Sequence, residues 1–157
     1  MSWIHWANLR TMRRIDYIIY HCSATRADCD YPVEALHRDH LSRGFKGIGY
    51  HFYITRNGQV HATRPLGMDG AHCQGHNRHS IGICYEGGLN SEGQPADTRT
   101  AAQREAMHRL TAQLLRRFHN VRLCGHRDLS PDRNGNGEVE PHEWLKQCPC
   151  FDVAKEL

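Results

Sequence analysis

His21, His126 and Cys148 are the residues on which chemistry could be built. Two imidazoles and a thiolate make a three-ligand zinc set whose fourth corner can hold water, the pattern of catalytic rather than structural zinc. An ion held that way lowers the pKa of its water towards about 7 and polarises a carbonyl. The three residues are far apart in the chain, so spacing alone does not single them out. With 13 histidines and seven cysteines present, most of either type must be bystanders.

A second chemical pattern lies between the last two. Asp132, Asn134, Asn136, Gly137 and Glu143 fit D-x-[DN]-x-[DN]-G-x5-E, the calcium loop of an EF-hand. Hard oxygen ligands recur every second residue, a glycine permits the sharp turn, and a carboxylate closes the set. Glu138 would lend its backbone carbonyl, and Glu140 could act through water. Val139 stands at the usual apolar position. A lone loop, preceded by "RDLSP" rather than by a good helix, does not make a calcium sensor. A polar Asn-Gly turn without an ion is the competing reading.

The elements that must position these groups alternate between strand and helix. "RRIDYIIYH" is a short apolar run that reads as a buried strand ending at His21. "YPVEALHRDHLSRG" reads as a short helix, with Pro32 in its first turn and Gly44 as its stop. "IGYHFYITRNGQVHAT" reads as a hairpin from Ile48 to Thr63 around "RNG". That places Tyr50 in a strand and turns His51 to the opposite face. "HSIGICYEGG" reads as another strand. Thr100 to Gln103, "TAAQ", matches a capping box. Met107, Leu110, Leu114 and Phe118 then carry a helix to about His119. "VRLCGH" is a last strand ending at His126. The expected fold is α/β, a single domain with a central mixed sheet flanked by helices. Residues 1–14 form an N-terminal extension, and 132–143 an insert.

Bulk properties narrow the partners. The formal charge of +3 is too mild for nucleic acid, although it would suit an anionic polymer. No apolar stretch is long enough to span a membrane. The start lacks the order of a signal peptide, so synthesis in a reducing cytoplasm is expected. The odd, irregularly spaced cysteines do not read as a disulfide framework. A monomer is expected.

The stretches "IIYHCSAT", "GIGYHFYITRNGQV", "GAHCQGHNRHSIGICYEGG", "GHRDLSP" and "KQCPCFDV" occur in an order that covers most of residues 15–153. Together they resemble the zinc-dependent N-acetylmuramoyl-L-alanine amidases of the bacteriophage lysozyme type, which share a fold with peptidoglycan recognition proteins. The resemblance implies that His21, His126 and Cys148 bind zinc, and that Tyr50 and Lys146 match a catalytic tyrosine and lysine. It implies cleavage of the amide between N-acetylmuramic acid and L-alanine of the stem peptide, with peptidoglycan or its fragments as partner. His72 in "GAHCQGHN" is a candidate to line the substrate groove, with a surface cap as the competing reading of that loop. The insert departs from the family pattern, in which the stretch from the "GH" histidine to the lysine and cysteine is short. An enzyme of phage or prophage lysis is expected, acting on the wall after release, or on wall fragments inside the cell. The alternative is a non-catalytic peptidoglycan-binding module on the same fold. Such relatives generally lack the cysteine that stands here as Cys148.

Overall fold

The computed structural model describes residues 13–157; the expected N-terminal extension lies outside the described residues except for its last two. The strands are β1 (Tyr17–Cys22), β2 (Thr25–Arg26), β3 (Phe52–Ile54), β4 (Val60–Ala62), β5 (Ser80–Tyr85), β6 (Gly88–Leu89) and β7 (Arg122–Gly125). The helices are α1 (Val33–Ser42), α2 (Ala101–Arg117) and α3 (Val153–Glu156). Five strands form one sheet in the order β4-β3-β5-β1-β7, and β2 pairs with β6 in a small second sheet. β3, β5, β1 and β7 run parallel, while β4 is antiparallel to β3 at the edge. The mixed sheet of the sequence reading is therefore present.

The centre of the sheet explains the apolar runs. β1 and β5 have a neighbour on each side and are covered on both faces, so Ile18, Ile19, Tyr20, Ile81 and Ile83 are fully buried. Alternation then divides their side chains. Ile18, Tyr20, Ile81, Ile83 and Tyr85 pack with Met107, Leu110 and Leu114 of α2. Tyr53 and Cys84 face the other way, against Leu36 of α1 and Ile48. Ile19 packs with Cys73 and Cys124. His21 is two residues beyond Ile19, so it emerges on Ile19's face, away from α2.

Local signals fix the helix ends. The Thr100 hydroxyl accepts from Gln103 N–H and the Gln103 side chain accepts from Thr100 N–H, closing the capping box. Pro32 stands at the N-cap position of α1 with its ring-fixed φ, and Gly44, at φ +86°, turns the chain out of the helix. The hairpin is shorter than the run of β-forming residues suggested. Its strands begin at Phe52, so Tyr50 and His51 lie in the bend before β3 and do not alternate as strand residues. Likewise β7 stops at Gly125, and His126 opens a 3-10 turn to Leu129.

Candidate metal centre and active site

Parallel register brings the two histidines together. Tyr20 of β1 is paired with Gly125 of β7, so the next residues, His21 still within β1 and His126 just past β7, stand side by side. Their ring centroids are 4.7 Å apart. Cys148 arrives from the other end of the sequence and is held at several points. Its carbonyl accepts from Arg127 N–H at 2.9 Å, and its sulfur accepts from Cys22 N–H at 3.3 Å. The Tyr85 hydroxyl donates to Pro149 O at 2.7 Å. Pro149 sits so close to β7 that a Cβ on Gly125 would lie 2.6 Å from its Cδ, which is why glycine stands before His126.

The result is a group in which one donor atom each from His21, His126 and Cys148 lies within 4.8 Å of the others. Zinc bonds of about 2.0–2.3 Å place ligand atoms on a tetrahedral ion roughly 3.3–3.8 Å apart. The donor set and its convergence therefore fit zinc after only small side-chain adjustments. His21 is 1% exposed. Burial, then the neighbouring His72, His126 and Lys146, hold its pKa well below the usual histidine value. It is a neutral imidazole with a lone pair to give. The Cys22 thiol is pushed up to about 12, first by its contact with Cys148 and also by burial. It stays protonated beside the ligand sulfur and offers no nucleophile of its own.

Tyr50 stacks obliquely on His21, with 5.1 Å between ring centroids, and on His40 at 5.5 Å. Burial, followed by the neighbouring Cys84 and Cys148 thiols, raises its pKa well above the usual tyrosine value, so its hydroxyl keeps its proton. Lys146 lies in an exposed run two residues before Cys148, near enough for its charge to act on His21.

His72 is adjacent to the metal group. Its Nδ1 is 2.8 Å from His21 Nε2, and its Nε2 is 3.2 Å from Ser80 Oγ. Burial lowers its pKa to about 3, with His51 and His126 adding to the effect. His51 lies on this same side of the sheet, its ring 6.0 Å from that of His72. The expected strand alternation therefore does not explain its separation from the metal group. Its nitrogens are already engaged: Nδ1 accepts from Gly82 N–H at 3.0 Å, leaving Nε2–H to donate to Met68 O at 2.9 Å.

The insert is held by its own hydrogen bonds. Asp132 accepts from Gly135 and Gly137 N–H, Asn134 Oδ1 from Asn136 N–H, and Asn136 Oδ1 from Glu138 N–H. Glu143, 2% exposed, accepts from the N–H groups of Arg133, Asn134 and Glu140. Those N–H groups, that of Glu140 foremost, lower its pKa. The side-chain oxygens of Asp132, Asn134, Asn136 and Glu143 thus accept from the loop's own backbone, the arrangement of a polar turn series. The expectation of a calcium site there is not supported. The residues just past the insert have contacts of their own. The Arg127 guanidinium lies 3.8 Å from the centre of the Trp144 ring, and Leu145 N–H donates to Ser130 Oγ at 3.1 Å. These contacts pin the chain just before Lys146.

Sequence reasoning missed the His21–His72 contact and the role of the Cys22 amide. The second was readable in principle, because the residue after His21 must present its amide at the same strand end.

Known proteins resemble this chain in sequence and in fold. A family model described as N-acetylmuramoyl-L-alanine amidase matches residues 11–149. The endolysin of Klebsiella phage KP32 is 34% identical over 138 residues, covering 88% of this chain and 82% of the phage protein. Among solved structures, the N-acetylmuramoyl-L-alanine amidase LysC from Clostridium intestinale superposes with a TM-score of 0.70 at 26% identity, over 92% of this chain and 82% of that one. Bumblebee PGRP-SA, with a TM-score of 0.67 at 23% identity over 90% of this chain and 79% of its own, shares the fold. With the family model spanning nearly the whole length and the phage endolysin aligned along most of it, this chain belongs to the N-acetylmuramoyl-L-alanine amidase family.

Proposed function

We propose that this protein is a zinc-dependent peptidoglycan hydrolase that cuts the amide between N-acetylmuramic acid and L-alanine of the stem peptide. The observation that carries the reading is the convergence of His21, His126 and Cys148 at the C-terminal side of a parallel sheet, where sites of α/β folds are built. In this reading the three side chains hold zinc, which supplies a polarised scissile carbonyl and an acidified water. The Lys146 ammonium stabilises the oxyanion that develops as the amide carbon becomes tetrahedral. The Tyr50 hydroxyl, protonated and packed against His21, donates a hydrogen bond at the reacting centre and orients the attacking water.

The endolysin relative supports a role in phage or prophage lysis, with synthesis in the cytoplasm and action on the cell wall after release. The protein works as a monomer on peptidoglycan, without nucleic acid or membrane as partner. A binding-only module is the second reading, favoured by the likeness to PGRP-SA. Cys148 weighs against it, because a protein that only binds the wall has no use for a complete zinc set.

Incubation with purified peptidoglycan separates the two. Free amino termini should appear with the native protein and cease on adding a zinc chelator. Wall binding without release of amino termini would establish the binding module instead.

A further inference from the structure

Among the described residues, His72 is the group whose placement is least explained by substrate binding. Its ring meets His21 edge-on, with centroids 4.8 Å apart and planes at 85°. Both of its nitrogens are taken, Nδ1 by His21 and Nε2 by Ser80, which is fully buried. Its backbone is fixed as well. The His72 and Cys73 N–H groups both donate to Asn77 Oδ1, at 2.8 and 2.9 Å. Two glycines make room for the ring. A Cβ on Gly82 would stand 2.5 Å from His72 Cδ2, and one on Gly70 would stand 2.4 Å from the same atom, so neither position admits a side chain unless the imidazole moves.

We infer that His72 is a positioning residue that sets the ring orientation and tautomer of His21. The inference rests on the zinc reading above. A histidine that gives one nitrogen's lone pair to a metal carries its proton on the other, and that proton needs an acceptor. With His21 Nε2 facing His72 Nδ1 at 2.8 Å, the proton sits on Nε2 and His21 Nδ1 is the nitrogen free to ligate. His72 Nδ1 must then be the acceptor, which places the His72 proton on Nε2, aimed at Ser80 Oγ 3.2 Å away. Hydrogen bonds therefore run in one direction, from His21 through His72 to Ser80. Such outer partners usually are carboxylates or backbone carbonyls. A neutral imidazole in that place fixes the ligand without adding a negative charge beside the metal.

Zinc affinity, measured by competition with a chromophoric chelator, and the visible absorption of the cobalt-substituted protein provide the test. His72→Ala should weaken zinc binding by roughly 10- to 100-fold and shift the cobalt bands. His72→Asn keeps an amide oxygen where Nδ1 stood and should restore most of the affinity. Ser80→Ala, at the far end of the chain, should give a smaller loss of the same kind. His72→Ala protein that binds zinc within twofold of native, with unshifted cobalt bands, overturns the inference, as does a raised KM as its sole defect. If His72→Ala does not fold, Ser80→Ala decides: weaker zinc binding supports the relay and native affinity overturns it. Native protein that takes up no zinc would overturn the metal reading itself, and the inference with it.

Discussion

His21 and His126 stand side by side, 4.7 Å between ring centroids, because each is the first residue past the Tyr20–Gly125 pair of two parallel strands. Their backbones are thus brought together by the spacing of adjacent strands, about 4.8 Å, with His126 opening the 3-10 turn that follows β7. Only Cys148 has to be brought in by irregular chain, and its fixation by Arg127, Cys22 and Pro149 supplies what the sheet cannot.

This division of labour separates two substitutions. Cys148→Ser removes a ligand and should lower zinc affinity beyond the roughly 10- to 100-fold typical of an outer-shell change, with loss of activity. Lys146→Ala touches no ligand atom. It should leave zinc content native and lower kcat by about 10²- to 10³-fold, the usual effect of removing one oxyanion-stabilising group. Metal analysis alongside turnover checks both, and full rate in both variants would remove these residues from the site.

Tyr50→Phe keeps the ring stacked on His21 and loses only the hydroxyl. Zinc affinity should hold while kcat drops about 10²-fold, the low end for a positioned proton-handling group. Because burial raises the Tyr50 pKa well above that of a free tyrosine, the hydroxyl stays protonated up to at least about pH 10. The native pH–rate profile should therefore contain no limb between about pH 5 and 10 that disappears in the phenylalanine variant.

Trp144→Ala tests the segment that follows the insert. Removing the ring under Arg127 releases the chain that leads to Lys146 and Cys148. A cation–π contact of this kind is worth about 0.5–2 kcal/mol, so zinc affinity should fall by no more than roughly 30-fold, together with the melting temperature. Trp144→Phe should recover part of both. Native affinity in the alanine variant would mean that this segment does not position the cysteine.

How far these features were legible depends on the physics that encodes them. β1 and β5 could be read because burial on both faces demands a continuous apolar run, and α2 because its cap and its three- and four-residue periodicity agree. The two-residue strands β2 and β6 are too short to carry a period. Aromatic and β-branched residues run through the stretch around Tyr50 as they do in a strand, yet strand pairing starts only at Phe52. The D-x-N-x-N-G pattern was visible, but Asp and Asn side chains that cap their own turns use the same spacing as calcium ligands. The His21–His72 contact joins residues 51 positions apart through the fold, and no local pattern reports it. Nor could the sequence reveal that Arg99 is buried over Phe151 and bridges Asp97 to Glu156, which ties the C-terminal α3 to the start of α2.

Acid should destabilise the fold in a defined window. Burial lowers the His51 pKa to about 4, against about 6.5 when unfolded. The unfolded chain therefore binds the extra proton first. The stability this neutral residue contributes is complete above about pH 6.5 and falls as pH drops towards 4, a loss of about 3 kcal/mol. Denaturant unfolding at pH 7 and pH 4.5 should show that decline, and His51→Gln should make it smaller, the remainder belonging to His21 and His72, which burial also holds neutral. An equal decline in the variant would assign the effect to other groups.

Diffraction at the zinc absorption edge addresses the central claim most directly. Crystals of protein purified without chelators should give one strong anomalous peak bonded to a ring nitrogen of His21, a ring nitrogen of His126 and the Cys148 sulfur. A map with no peak there, and those three side chains turned away from one another, would contradict the account.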